Sequence, residues 1–455
     1  MSSSDFRGVL VAVALVATIA AASGVGARAS YGTRTTGDEP HYLLTALSLA
    51  EDRDLDVSDE IEAGRFRPFS EIGLDRQSRP LEGGRLVSPH DPLLPALIAP
   101  AMAAGGWIGA KLVLAATAGF LAALTLWVAV RRFDTPVVPT AVLVGLFSVS
   151  APLSVYGSQV YPEVPAALAT MGAVAAGLGL AARRNMVACV LAVSALPWLS
   201  VKYAPVAAAL AVAVAWRWSR AGDKRAAAAL VGALVVSGIA FAVAHQAWYG
   251  GWTPYGVGDH FVTGEFGVVG LSPDFAGRSR RLIGLLVDRE FGLAAWQPAW
   301  LLALPAVGAL VARRPPGWEL LALPLAAGWL NATFVALTMH GWWWPGRQVV
   351  VVVPLAVVAI AAWVARSSRR MIAAVAAGAV GVLSFAWVTA EALNGRLTMV
   401  VDFYETGNPL YGMWRTVLPD YRHVSGTTWV LHGQWVVVAA LALRQGWIER
   451  ASPRP

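Results

Sequence analysis

The sequence predicts an all-α, polytopic integral membrane protein, and three observations carry that prediction. Of 455 residues, 57% are hydrophobic and only 14% are charged. Apolar runs of roughly 18 to 22 residues recur along the chain, long enough for a helix to cross a bilayer. These runs are continuous rather than alternating. Because a bilayer core requires every backbone amide to be satisfied internally, they are expected as helices and not as barrel strands.

Taken in order, the apolar spans fall at 8–27, 107–130, 135–156, 164–182, 186–200, 204–216, 226–245, 291–312, 319–339, 348–365, 371–391 and 427–443, about twelve transmembrane helices. The first follows Asp5 and Arg7 and ends near Ala27, Arg28 and Ala29. A cleaved leader shares that pattern, but the run is long enough to remain as a first helix. The two spans around Lys202 are short and read as a tilted or broken pair. Segment 93–105 reads as a further helix on the outer surface or re-entering the membrane. With no internal repeat, low-complexity stretch or soluble domain, residues 1–455 form a single membrane domain.

Orientation comes from the basic residues. Arg7, Arg131, Arg132, Arg183, Arg184, Arg217, Arg220, Lys224, Arg225, Arg313, Arg314, Arg366, Arg369, Arg370, Arg444, Arg450 and Arg454 fall on one side of the twelve-span scheme, which makes that side cytoplasmic, with both termini there. The net charge of +7 thus reports topology rather than a nucleic-acid partner. The long polar segments 28–92, 246–290 and 392–426 then lie outside the cytoplasmic membrane, and so does the working surface. The single cysteine, Cys189, lies in an apolar run and excludes an intramolecular disulfide or a cysteine-rich zinc site.

Chemistry concentrates in GDEPHYL at 37–43, where two adjacent carboxylates follow the first span. Asp38 can act as a general base toward an acceptor hydroxyl. Glu39 beside it would bind acceptor, water or metal, since adjacent carboxylates raise each other's pKa. Pro40 suits the first turn of a helix, and Tyr42, Leu43, Ala46, Leu47 and Leu49 form a stripe fit to lie in the interface. A capping Asp38 with a solvated Glu39 would explain the same pair without chemistry. Glu163 in VYPEVPAAL offers a second outer carboxylate, or simply a helix N-terminal acid. Lys202 and Arg347 are lone cations in outer turns where positive charge is disfavoured. They suit a phosphate, with snorkelling as the plain alternative and the better reading for Lys111. In 246–290, Tyr249, Trp252 and Tyr255 could stack on sugar or belong to an aromatic belt, and Arg280 and Arg281 precede an apolar run. His260 and His340 lack a fixed ligand spacing.

The acidic pair after the first helix, with His41 and Tyr42 following, resembles the first outer loop of GT-C glycosyltransferases of the aminoarabinose transferase and protein O-mannosyltransferase type. SPHDPLLPAL at 88–97 looks like that family's proline-rich approach to the next helix, although His90 and Asp91 stand where Lys or Pro is often found. VYPEVPAAL at 160–168 resembles the second acidic site, and HGWWWPGRQVVVVVPL at 340–355 the proline-glycine-arginine turn before a hydrophobic helix. The resemblance implies Asp38 and Glu39 as catalytic carboxylates, and Glu163, His41 and Tyr42 on the acceptor or metal side. Lys202, Arg347, Arg280 and Arg281 would face the donor phosphate.

The expected activity is that of an inverting glycosyltransferase acting outside the membrane. It moves a sugar from a polyprenyl-phosphate carrier to an envelope glycan, a glycolipid or a protein. Membrane lipids are its other partners and nucleic acid is not one. No nucleotide is required, consistent with the lack of a GxxxxGK loop. No cofactor is demanded by the sequence; a divalent metal is possible because some relatives use one, and the sequence does not identify its ligands. A multi-pass transporter or lipid flippase and a non-catalytic scaffold of an envelope-assembly complex are the rival readings.

Overall fold

The computed structural model describes residues 3–259, 265–270 and 272–448. His260, Arg450 and Arg454 lie outside the described residues. The fold is all-α, and the only β pairing among the described residues is in isolated bridges, three of them within the outer segment 28–92. Among the described residues, five helices are long and apolar enough to cross a membrane: Ser3–Ser23, Leu93–Arg132, Lys224–Tyr249, Ser368–Leu393 and Gly426–Ile448. Shorter apolar helices include Val137–Ser148, Glu163–Gly177 and Val353–Val364. The chain is a multi-pass membrane protein.

The helices pack closely because small residues line their contacts. A Cβ on Gly119 would run into Thr18 and the Ala14 carbonyl of the first helix, and one on Gly308 or Gly446 would meet the backbone of the facing helix. Without a hydrophobic driving force between helices in lipid, such close backbone approach supplies the packing energy. The first helix is held against Leu93–Arg132 in this way.

Several predicted spans are not single helices. Span 291–312 divides into Leu293–Trp296, the 3₁₀ stretch Pro298–Leu302 and Ala303–Arg313. Pro298 has no N–H to continue the ladder, and Gln297 compensates by accepting from Ala299 N at 3.3 Å and donating to Ser150 Oγ at 2.8 Å. Span 319–339 ends its α-helix at Leu330 and passes through a π turn, Asn331–Val335. Span 135–156 breaks between Ser148 and Leu153.

Segment 93–105 is continuous with the next span in Leu93–Arg132 but turns sharply at Gly106, where φ is 59° and ψ −156°. Only glycine adopts that backbone readily. The helix Glu39–Glu51 departs from expectation more strongly. It was expected in the interface with one apolar stripe inward, yet every residue from Glu39 to Ser48 is buried. The outer segments fold over it, so both its faces meet protein. The two helices around Lys202, Arg183–Leu199 and Ala204–Arg220, are joined by the tight 3₁₀ turn Val201–Tyr203.

Candidate active site

Four elements distant in sequence converge at one end of the bundle. The turn before Glu39–Glu51 brings Asp38, the N-terminus of Glu163–Gly177 brings Glu163, the Val201–Tyr203 turn brings Lys202, and the segment after Gly346 brings Arg347. Asp38 is the N-cap residue of its helix, with Pro40 in the first turn, but its side chain makes no capping hydrogen bond. Instead Asp38 Oδ2 accepts from Arg347 Nη2 at 2.5 Å. Arg347 Nε donates to Glu163 Oε1 at 3.1 Å, and Lys202 Nζ donates to the same oxygen at 2.7 Å. Two carboxylates and two cations thus form one chain of charge-assisted bonds.

The surroundings fix this chain. The Arg347 guanidinium lies over the Tyr161 ring at 4.2 Å and near Trp343 at 5.3 Å. Tyr161 in turn donates to Thr36 O at 2.9 Å, just before the acidic pair. Gly346 takes φ +84°, and a side chain there would collide with Leu293, so the turn delivering Arg347 requires glycine. Asn331, in the π turn, donates to Lys202 O at 3.1 Å. The π turn therefore has a use: it places a side-chain amide on the backbone of the lysine turn.

The two carboxylates differ in access. The Glu163 side chain is fully buried, whereas that of Asp38 is 24% exposed. Glu163 Oε1 serves both cations while its Oε2 is buried without a hydrogen-bond partner. Burial alone would raise the Asp38 pKa; Arg347 and His90 override it and hold the carboxyl well below the usual carboxylate range.

Several residues singled out from the sequence make contacts other than those expected. Glu39 was expected to contact acceptor, water or metal. In the structure its Oε2 accepts from Val160 N at 2.8 Å and its Oε1 from Thr36 N at 3.2 Å, with Lys111 Nζ 3.7 Å from Oε2. Both oxygens are occupied by the protein, which makes Glu39 a brace between segments; burial raises its pKa, with Lys111 and the two amides opposing. Lys111 is not snorkelling but buried, with a second bond to Arg34 O at 2.8 Å. His41 is within 3.0 Å of Asp75 O through Nε2, and burial lowers its pKa. Tyr42 stacks on His90 with ring centroids 4.6 Å apart. Arg281 donates to Ala336 O at 2.6 Å and Leu337 O at 2.8 Å, so it ties down the segment after the π turn. Among the described residues, neither Arg280 nor Arg281 has a hydrogen bond or ion pair with the Asp38–Glu163 cluster. Tyr249 donates to His90 O at 2.9 Å, Trp252 is exposed, and His340 Nε2 is 3.4 Å from Asp288 Oδ2.

Other residues enter that the sequence reading did not place. His90 Nε2 is 3.0 Å from Gln77 Oε1 and 4.0 Å from Asp38 Oδ1. Burial pushes its pKa down to about 4, Asp38 opposing, which leaves the ring neutral near pH 7. Asp91 accepts from Val201 N at 2.9 Å through Oδ2 and lies 3.0 Å from His245 Nε2 through Oδ1. The pair anchors the turn that carries Lys202. A histidine inside the apolar run 226–245 was the available signal for it, because ionisable groups in such runs are rare without a purpose. Nothing in the sequence pointed to Gln77.

No family model matches the chain, and no curated protein matches it. Among solved structures, the fold is similar to that of ArnT from Cupriavidus metallidurans in the apo state, with a TM-score of 0.53 and 16% identity over 98% of this chain and 76% of that one. ArnT from the same organism bound to undecaprenyl phosphate is matched at a TM-score of 0.49 and 15% identity, over 98% of this chain and 74% of that one. The likeness to the apo structure shows that the two chains share a fold.

Proposed function

We propose that the chain is an inverting glycosyltransferase that moves a sugar from a polyprenyl-phosphate carrier to an envelope acceptor outside the cytoplasmic membrane, with a glycan or glycolipid ranked before protein. One observation carries this reading: a partly exposed carboxylate, Asp38, shares a bonded network with two cations, Arg347 and Lys202, at one end of a membrane bundle. Base and phosphate-binding charge are the two things the reaction needs within one pocket.

In this mechanism Asp38 takes the proton of the acceptor hydroxyl and the hydroxyl oxygen attacks the anomeric carbon. The bond from that carbon to the carrier phosphate oxygen breaks, and polyprenyl phosphate leaves with the bonding electrons. A single displacement inverts the anomeric carbon. Lys202 and Arg347 stabilise the charge that grows on the departing phosphate, with Arg347 suited to a two-point grip.

The ion pairs add a consequence. While Arg347 is bonded to Asp38, the carboxylate is a poor base. A donor phosphate that takes over part of the Arg347 guanidinium weakens that bond and raises the basicity of Asp38 as the substrate arrives. Glu163 keeps the two cations in place in the donor's absence, since an unpaired buried charge is costly. Base strength is then coupled to donor occupancy.

The test is a profile of envelope glycans and lipid-linked sugars from a strain lacking the gene, complemented with wild type or Asp38→Asn at matched expression. Restoration by wild type alone, with carrier-linked sugar accumulating in the mutant, supports the transferase and identifies the sugar. Equal restoration by Asp38→Asn removes Asp38 as the base and favours a transporter or a scaffold.

A further inference from the structure

Segment 52–60 of the first outer loop carries five acidic residues in nine positions, and the structure divides them into two groups. Asp54 and Asp56 are satisfied by the chain itself. Asp54 Oδ1 accepts from Ser48 Oγ at 2.9 Å and Asp56 N at 3.0 Å, while Asp56 Oδ1 accepts from Ser58 and from Leu86 N at 3.0 Å. Asp52, Asp59 and Glu60 accept no hydrogen bond from a side-chain donor among the described residues, and each presents a carboxylate oxygen within 4.8 Å of the others.

Glu60 decides between a solvated acidic face and a site. It is 2% exposed, and both its carboxylate oxygens are buried without a hydrogen-bond partner. The polar groups nearest it are the Asp59 carboxyl and its own backbone amide. The neighbouring cation, Arg65, is turned to Glu51 in a two-point ion pair at 2.8 and 3.0 Å. A buried carboxylate facing two further carboxylates and no paired cation is an unfavourable arrangement unless something positive joins it.

We propose that Asp52, Asp59 and Glu60 bind Ca²⁺. Three carboxylates supply only hard oxygen ligands, which select Ca²⁺ or Mg²⁺ over metals that prefer nitrogen or sulfur. The mixed setting, one fixed buried carboxylate and two exposed ones open to water, suits the irregular, water-completed shell of Ca²⁺ better than the strict octahedron of Mg²⁺. Asp52 follows directly on the helix Glu39–Glu51, whose carbonyl end favours a cation, and the opposite end of that helix carries Asp38. The bound ion ties Asp52, at the end of the helix Glu39–Glu51, to the short helix Ser58–Glu62, closing the loop whose Leu55 packs on Val87, Tyr249 and Val257. This site is separate from the Asp38 cluster and does not depend on the proposed transferase activity.

The test uses the full-length protein in detergent, stripped with a chelator and titrated with Ca²⁺ at fixed heating rate. Wild type and Asp38→Asn are expected to gain about 3–6 °C in apparent melting temperature, to retain one Ca²⁺ per chain, and to need at least ten times more Mg²⁺ for the same shift. Glu60→Gln is expected to lose the shift and the bound ion while melting no lower than chelated wild type. Should Glu60→Gln fail to fold, Asp52→Asn with Asp59→Asn, both at exposed positions, must show the same loss. No Ca²⁺ shift in wild type, or an equal shift in these variants, overturns the site; an equal Mg²⁺ response overturns its assignment to calcium.

Discussion

Arg347 holds Asp38 with one nitrogen and Glu163 with another, so its geometry matters as much as its charge. A lysine there keeps the charge but cannot serve both carboxylates. Arg347→Lys is therefore expected to lower the transfer rate by roughly 10- to 100-fold and Arg347→Ala by about 100- to 1,000-fold, measured as carrier-linked sugar consumed. Retention of full rate in Arg347→Ala would remove it from the donor site. His90 gives a pH prediction. Its folded pKa of about 4 lies below the ordinary histidine value, so the unfolded chain binds the extra proton first as pH falls. The contribution is present above about pH 6.5 and is lost as pH falls toward 4, on the order of 3 kcal/mol. His90→Gln should flatten the melting-temperature profile across that window, and an unchanged slope would contradict the neutral, buried ring. Lys202 and Arg347 stood out in the sequence because positive charge is disfavoured in outer turns, and Asp38 and Glu163 because they are carboxylates at outer helix starts in motifs that resemble those of a known family. His90 and Asp91 were visible only as departures from a family pattern. Gln77 had no signal, because a polar residue in a polar loop is unremarkable until the fold sets it beside a histidine.

Among elements, Glu39–Glu51 and Leu93–Arg132 are joined by the buried Glu39–Lys111 pair. Lys111→Met should strand Glu39 and cost about 3–5 kcal/mol, whereas Lys111→Met combined with Glu39→Gln should recover most of that loss in a thermal unfolding comparison. If the double variant melts as low as the single one, the pair is not what joins them. The Val201–Tyr203 turn has a similar dependence. Asp91→Asn removes a charged acceptor from Val201 N and His245, and the resulting shift of Lys202 should raise the KM for donor by about tenfold, roughly the worth of one charge-assisted bond, with the fold intact. Apolar length located these elements in the sequence but not their interruptions. The break at Gln297 and the π turn at Asn331 depend on partners, Ser150 and Lys202 O, that lie far away in the chain. The burial of Glu39–Glu51 was hidden for the same reason. Its apolar stripe predicted one inward face, and only the folded outer loops cover the other.

At the scale of the whole molecule, polar chemistry is gathered at one end of an apolar bundle while arginines mark the ends of helices remote from it. The fold class was legible because bilayer thickness and backbone hydrogen bonding leave few alternatives for such a composition. The association of four distant segments around Arg347 was not legible from spacing, since tertiary packing alone sets which outer turns meet. The central claim is that Asp38 is the base of a sugar transfer from a lipid phosphate. The direct measurement is release of free polyprenyl phosphate by the purified protein in lipid nanodiscs, supplied with carrier-linked sugars and envelope acceptor extracted from the deletion strain. Wild type should release it in proportion to sugar transferred, and Asp38→Asn should do so roughly 100- to 10,000-fold more slowly while still binding donor. Equal release by Asp38→Asn and wild type would contradict the account.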